Sequence, residues 1–148
     1  MNLARRRGEQ GERDVVAKVK CPHCHSQLMQ LPPSFPIYDL QCTRCLFRAQ
    51  VKSARTKPKG ELFGGGWEIM DKSLRAGQLV PPLIVNFRWR SNGRLCQEIY
   101  FFPFISKANM RARTRSHRGQ RPGYREFNYV NLLKGDYVPK LLLFSRGV

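Results

Sequence analysis

The residues best equipped for chemistry are cysteines. Cys21-Pro22-His23-Cys24 and Cys42-Thr43-Arg44-Cys45 form two Cys-x-x-Cys pairs with 17 residues between them, the spacing of a structural zinc site. Each pair sits on a tight turn that aims two sulfurs at one point. Two such turns give a tetrahedron of thiolates at about 2.3 Å from Zn²⁺. With four protein ligands there is no open position, so the metal would stabilise and not catalyse. Free thiols or disulfides are the alternative, and a reducing cytosol disfavours the second. His23 and His25 lie within and beside the first pair; with four sulfurs present, they read as solvated turn residues. Cys96 reads as a small buried side chain on a hairpin strand.

A second group is sparser. Only 10 acids stand against 27 lysines and arginines, and one of them, Asp39, lies just ahead of the second cysteine pair. Gln50-Val51-Lys52 follows. On a strand, Gln50 and Lys52 project to one face. If the second cysteine turn folds this strand back beside Ile37–Gln41, then Asp39, Gln50 and Lys52 converge. A carboxylate with further oxygen donors suits Mg²⁺, and Asp39, Gln50 and Val51 are the expected magnesium ligands. Such a metal polarises a phosphodiester and acidifies a bound water, while Lys52 steadies the charge that grows on the phosphate. The same pattern also fits a solvated sheet face with one buried polar residue.

The elements that must position these groups alternate in type. Residues 1–20 are polar, and Gly8 and Gly11 argue against a long helix; a short one over Glu12–Lys20 is expected. Leu31-Pro32-Pro33-Ser34-Phe35-Pro36 is too proline-rich for a regular element. In Leu46–Lys52, Phe47, Ala49 and Val51 alternate with Arg48, Gln50 and Lys52, the period of a strand. Trp67, Met70 and Leu74 predict a helix over Trp67–Ala76 that Gly77 stops. Asn92-Gly93 between apolar runs predicts a hairpin of Leu83–Arg90 with Leu95–Phe102. Tyr124–Leu133 reads as extended, and Val138–Phe144 as a last strand or packed tail. The fold class is therefore α/β: a mixed central sheet flanked by helices, with an inserted four-cysteine zinc ribbon. A length of 148 residues points to a single domain.

These residues also resemble a family. Lys20-Cys21-Pro22-His23-Cys24, Tyr38-Asp39-Leu40-Gln41-Cys42-Thr43-Arg44-Cys45 and Ala49-Gln50-Val51-Lys52-Ser53 are similar to the catalytic domain of the Dam-replacing (DpnI-type) restriction endonucleases, of the PD-(D/E)XK nuclease superfamily. Its pattern has an aspartate three residues before the second cysteine pair and a Glu-x-Lys-Ser after it. Gly65-Gly66-Trp67, the Asn92-Gly93 hairpin, and Arg121-Pro122-Gly123-Tyr124 with Asn128 extend the likeness, over about residues 20–133. The resemblance implies a restriction-endonuclease-like sheet and Mg²⁺-dependent DNA cleavage through Asp39, Gln50 and Lys52. It also implies adenine-methylated G-A-T-C sites in double-stranded DNA as the substrate. Gln50 stands where the family has glutamate and Ala49 where it has an aromatic residue. The chain has no room for the family's C-terminal winged helix, and its first 20 residues look too short and glycine-rich for the helix expected ahead of the zinc site.

Charge points to the same partner. The net charge is +17 with a pI near 10.5, a composition that favours anionic polymers. The basic loop with Arg55, Lys57 and Lys59 follows the Gln50–Lys52 strand directly. Residues 107–125 hold Lys107, Arg111, Arg113, Arg115, Arg118, Arg121 and Arg125 with no acid. Arg55, Lys57, Lys59, Arg111, Arg113, Arg115, Arg118 and Arg121 are the expected DNA contacts, and Trp67 and Tyr124 could stack on or wedge between bases. No signal peptide or membrane span is read, which places the chain in the cytoplasm of a prokaryotic cell or on its nucleoid. A non-catalytic zinc-ribbon nucleic-acid-binding protein, a decayed nuclease, is the alternative that Gln50 keeps open.

Overall fold

A computed structural model describes residues 3–114, 125–135 and 138–148. Among the described residues the chain forms a mixed α/β structure with two α-helices, a six-stranded mixed sheet and a three-stranded sheet. It divides into two compact units. The first is Met1–Pro58, Pro81–Pro103 and Pro139–Val148; the second is Lys59–Val80 and Phe104–Val138.

The first unit carries helix α1 (Leu3–Lys18) and strands β1 (Leu28–Gln30), β2 (Leu40–Cys42), β3 (Arg48–Ala54), β5 (Leu83–Ser91), β6 (Arg94–Phe102) and β9 (Leu141–Arg146). The strand order is β1-β2-β3-β5-β6-β9. Only β3 and β5 run parallel; the other neighbours are antiparallel. A parallel pair needs a crossover connection, and the first excursion into the second unit supplies it. Asn92 (φ 52°) and Gly93 (φ 75°) both adopt positive φ at the β5–β6 turn, as the sequence predicts.

Helix α1 corrects the expectation of a short helix over Glu12–Lys20. It starts nine residues earlier and runs through both glycines. The reason is tertiary. A Cβ on Gly11 would collide with the Ser53 hydroxyl of β3, so the missing side chain lets the helix lie directly on the sheet. Packing of an apolar stripe outweighs the roughly 1 kcal/mol propensity cost of a glycine. Val15 of α1 and Val19, just after it, join Leu28, Leu40, Phe47, Ala49, Val51, Ile84 and Ile99 in the buried core. Gly11 and Ser53 place α1 on the face of β3 that carries Ala49, Val51 and Ser53. Alternation sends Arg48, Gln50 and Lys52 to the other face.

The second unit holds β4 (Leu62–Gly66), α2 (Trp67–Arg75), a 3₁₀ turn (Lys107–Asn109), β7 (Met110–Thr114) and β8 (Arg125–Tyr129). Its strand order is β4-β8-β7. Phe127 and Tyr129 are buried, with ring centroids 5.1 Å apart. Gly64 sits where any Cβ would collide with the Phe127 ring. Gly77 takes φ 82° just past the end of α2, the expected helix stop.

Candidate metal centre and carboxylate cluster

The four-cysteine cluster is built from two turns that the β1–β2 ladder brings together. Cys21 closes the first through His25 N–H to Cys21 O (2.9 Å), and His25 takes φ 63° to leave the turn. The second closes through Cys42 N–H to Phe47 O (2.9 Å). The sulfurs of Cys21, Cys24, Cys42 and Cys45 all lie within 4.8 Å of one another. Two of their separations are 3.6 Å (Cys21–Cys45) and 3.4 Å (Cys24–Cys42). Zn–S bonds of about 2.3 Å imply tetrahedron edges of about 3.8 Å, so the donor set fits this ion. Main-chain N–H groups point at the sulfurs: His23 at Cys21 (3.4 Å), Arg44 and Cys45 at Cys42 (3.3 and 3.4 Å), and Phe47 at Cys45 (3.4 Å). Such donors stabilise thiolate charge. His23 is exposed, as expected of a turn residue, yet its ring packs edge-on against Phe47 at 4.9 Å. Cys96 is buried and donates to Gly147 O at 3.3 Å.

Asp39 sits one residue ahead of β2. Its N–H donates to Ala49 O (3.0 Å), and its carbonyl accepts from Leu31 N–H (2.8 Å). Its Oδ2 accepts the Val51 N–H at 2.8 Å, so the carboxylate is held against the Gln50-Val51-Lys52 segment. Lys52 lies close enough to feel the charge of Asp39. Gln50 N–H donates to Pro82 O (2.9 Å), and alternation puts its side chain on the Lys52 face. The approach to Asp39 is strained. Ile37 takes φ 70° while Tyr38 N–H donates to Pro36 O at 2.7 Å. This is the rare γ-turn with a β-branched residue at its centre, a conformation that costs about 1–3 kcal/mol.

One residue that pattern reading missed joins this group. Glu12 of α1 lies against Asp39 and accepts from Gln30 Nε2 at 2.7 Å. Burial, and then the negative charges of Asp39 and Glu9, push the Glu12 carboxyl up to about 7 against the Gln30 bond. Burial also raises Asp39, against the Val51 N–H, the Lys52 charge and the Glu12 bond. Burial lowers Lys52, while Asp39 and Glu12 pull it back up. Glu12 and Asp39 line one open cavity of about 630 Å³ with Arg5, Glu9, Arg13 and Gln30. Two acids and a lysine gathered by desolvation and mutual charge are the kind of cluster that marks reactive sites. Glu12 opens the helix expected over Glu12–Lys20, but no local pattern shows that this helix carries it to Asp39.

The expected DNA contacts fall into separate settings. Arg55 and Lys57 belong to the first unit. Lys59, Arg111 and Arg113 belong to the second. Arg113 is not a free cation: Glu126, its cross-strand partner, holds it at 3.2 Å. Trp67 is half-buried, its ring edge-on to Phe127 at 6.0 Å. Arg115, Arg118, Arg121 and Tyr124 lie outside the described residues. Among the described residues no helix is long and apolar enough to cross a membrane. No protein-family model and no curated protein matches the chain.

Proposed function

We propose that this protein is a Mg²⁺-dependent DNA endonuclease of the PD-(D/E)XK type, resembling the Dam-replacing (DpnI-type) enzymes, with adenine-methylated G-A-T-C duplexes as its substrate. The observation that carries the reading is the juxtaposition of Glu12, Asp39 and Lys52 beside the Gln50 strand. A nuclease site of this class needs two oxygen donors of hard character and a cation. Gln50 weakens one donor, because its oxygen is neutral; Glu12 supplies a second carboxylate from another element. Asp39 and Glu12 bring two carboxyl groups together, an oxygen donor set suited to a divalent cation once both are ionised. Asp39, Glu12 and Gln50 would hold magnesium. When bound, magnesium polarises the phosphodiester and acidifies a water. The Val51 N–H fixes the Asp39 carboxylate in place. Lys52 stands ready to stabilise developing phosphate charge or to orient the water.

Purified zinc-loaded protein incubated with methylated and unmethylated plasmid in Mg²⁺ tests this. Cleavage of the methylated plasmid that disappears in Lys52→Ala is expected. Intact binding with no cleavage of either plasmid would reject the enzyme. The second reading is a zinc-ribbon protein that binds nucleic acid without cutting it, and Gln50 is what favours it. It expects Lys52→Ala to change nothing measurable.

A further inference from the structure

A second concentration of charge lies on the α1 face of the first unit. In β5, Arg88 pairs with Gln97 of β6, and Gln97 pairs in turn with Arg146 of β9. Arg55 follows Ala54, the residue of β3 paired with Phe87, so it stands beside Arg88. Arg55, Arg88, Gln97 and Arg146 therefore form one row across four adjacent strands. Lys18 closes the row from above: its Nζ donates to Gln97 Oε1 at 2.6 Å and pairs with Asp14 at 2.9 Å. Arg90 stands one step further along β5. These cations line an open cavity of about 500 Å³ whose lining contains no acid.

The row shares its face with α1, which also carries Glu12, and faces away from Gln50 and Lys52 of β3. Gln97 bonds Lys18, Asp14 and Asn86, so the row shares the helix-bearing face of the sheet. Gln50 and Lys52 project from the other face. Among the described residues, no side chain pairs with Arg55, Arg88 or Arg146. Like charges on neighbouring strands repel, and a bound anion relieves that repulsion.

We propose that this row is a second binding surface for the phosphodiester backbone of duplex DNA. The proposal rests on the reading that the protein's partner is duplex DNA. Length selects a polymer over a single phosphate. Strands lie about 4.8 Å apart, so three steps from β3 to β9 span about 14 Å. A duplex presents one phosphate per about 3.4 Å along each strand. Face chemistry selects a duplex over a single strand. Single strands are gripped by successive aromatic platforms, whereas the cavity over the row is lined by five cations and one aromatic residue, Trp89. Charge outweighs stacking on this surface.

The test measures affinity for a labelled duplex by anisotropy across a salt series, without Mg²⁺, using the full zinc-loaded chain. Arg88→Gln with Arg146→Gln is expected to weaken binding about tenfold. It should also flatten the slope of log affinity against log salt by about 1.8, two phosphate contacts' worth. Arg88→Lys with Arg146→Lys keeps the charges and should keep the slope, which guards against a folding effect. A slope unchanged in the glutamine variant, or lost equally in the lysine variant, overturns the proposal. So does an arginine-dependent slope seen with a single-stranded oligonucleotide and not with the duplex. Plasmid cleavage in Mg²⁺ is scored separately. Cleavage with an unchanged slope rejects the row and leaves the nuclease. A changed slope without cleavage rejects the nuclease and leaves the row.

Discussion

Two carboxylates stand two residues apart on α1 and live in opposite surroundings. Asp14 is met by partners. Its oxygens accept from Lys18 (2.9 Å), Asn86 (3.0 Å) and Gln97 (2.6 Å). Burial alone would raise it, but the bonds from Lys18, Asn86 and Gln97 outweigh burial and hold it below the usual value. Glu12 is met by another acid. Burial and Asp39 push it up to about 7. The same helix thus carries one acid that anchors the fold and one that the fold holds at a cost. Satisfied polar networks specify structure; opposed and desolvated groups mark chemistry.

The widest test of this contrast removes what both depend on. Val15 of α1 and the following Val19 pack in one core with Cys21 and Cys42. Structural zinc contributes on the order of 10 kcal/mol of folding free energy in small domains. Cys42→Ser, or stripping with a strong chelator, should abolish the cooperative thermal transition of the first unit. Calorimetry with and without added zinc reads it, and an unchanged transition would remove zinc from the fold.

Next comes the chemistry side. Asp39→Asn and Lys52→Ala should each lower cleavage by about 10²–10³-fold with little loss of melting temperature. Glu12→Gln should lower it by roughly tenfold, and Gln50→Glu should reduce the Mg²⁺ concentration needed. If Glu12→Gln cleaves at the full rate, Glu12 is not part of the site and the contrast fails on that side.

The fold side follows. Asp14→Ala leaves the Asn86 and Gln97 amides without their acceptor, which costs about 1–3 kcal/mol, and any cleavage lost should return when the assay is cooled. Denaturant unfolding measures it.

The smallest effects are in the pH dependence, and their signs differ. Asp14 is lowered in the folded state, so its contribution is present above its ordinary 3.8 and is lost as pH falls through the folded value. Glu12 is raised from 4.5 to about 7, so the folded state binds its proton more tightly. Its contribution is full below 4.5 and fades as pH rises through about 7. After discounting for its partial exposure, this is worth about 1–2 kcal/mol. At pH 8 Glu12→Gln should therefore raise the melting temperature while Asp14→Asn lowers it. Matching signs in a thermal scan at that pH would sink the distinction.

What the sequence disclosed tracks how local each signal is. The cysteine pairs, the Asn92-Gly93 turn, helix α2 and the alternation of Phe47, Ala49 and Val51 were legible because neighbours in sequence carry the whole pattern. The rest depended on distant contacts. Gly11 reads as a breaker until Ser53 lies beneath it. Glu12 and Asp39 meet only because α1 packs against β1 and β3. Arg113 reads as a free cation until the β7–β8 register sets Glu126 opposite. Strand β1 is three residues long, and β4 ends in three glycines, Gly64 to Gly66, so neither announces itself by composition. The basic row crosses four strands and has no trace in any one segment.

The two excursions that make up the second unit bear on the order of folding. Its β4–β8 ladder joins Leu62 to Tyr129, whereas Ser91 meets Arg94 across a two-residue turn in β5–β6. Closing the longer loop from an unfolded chain sacrifices more entropy, and most of that loop is taken up once β5, β6 and their neighbours have paired. The six-stranded sheet then acts as a template that shortens the search for the smaller one. In pulse-labelled hydrogen exchange, amides of β5 and β6 should gain protection before those of β4 and β8.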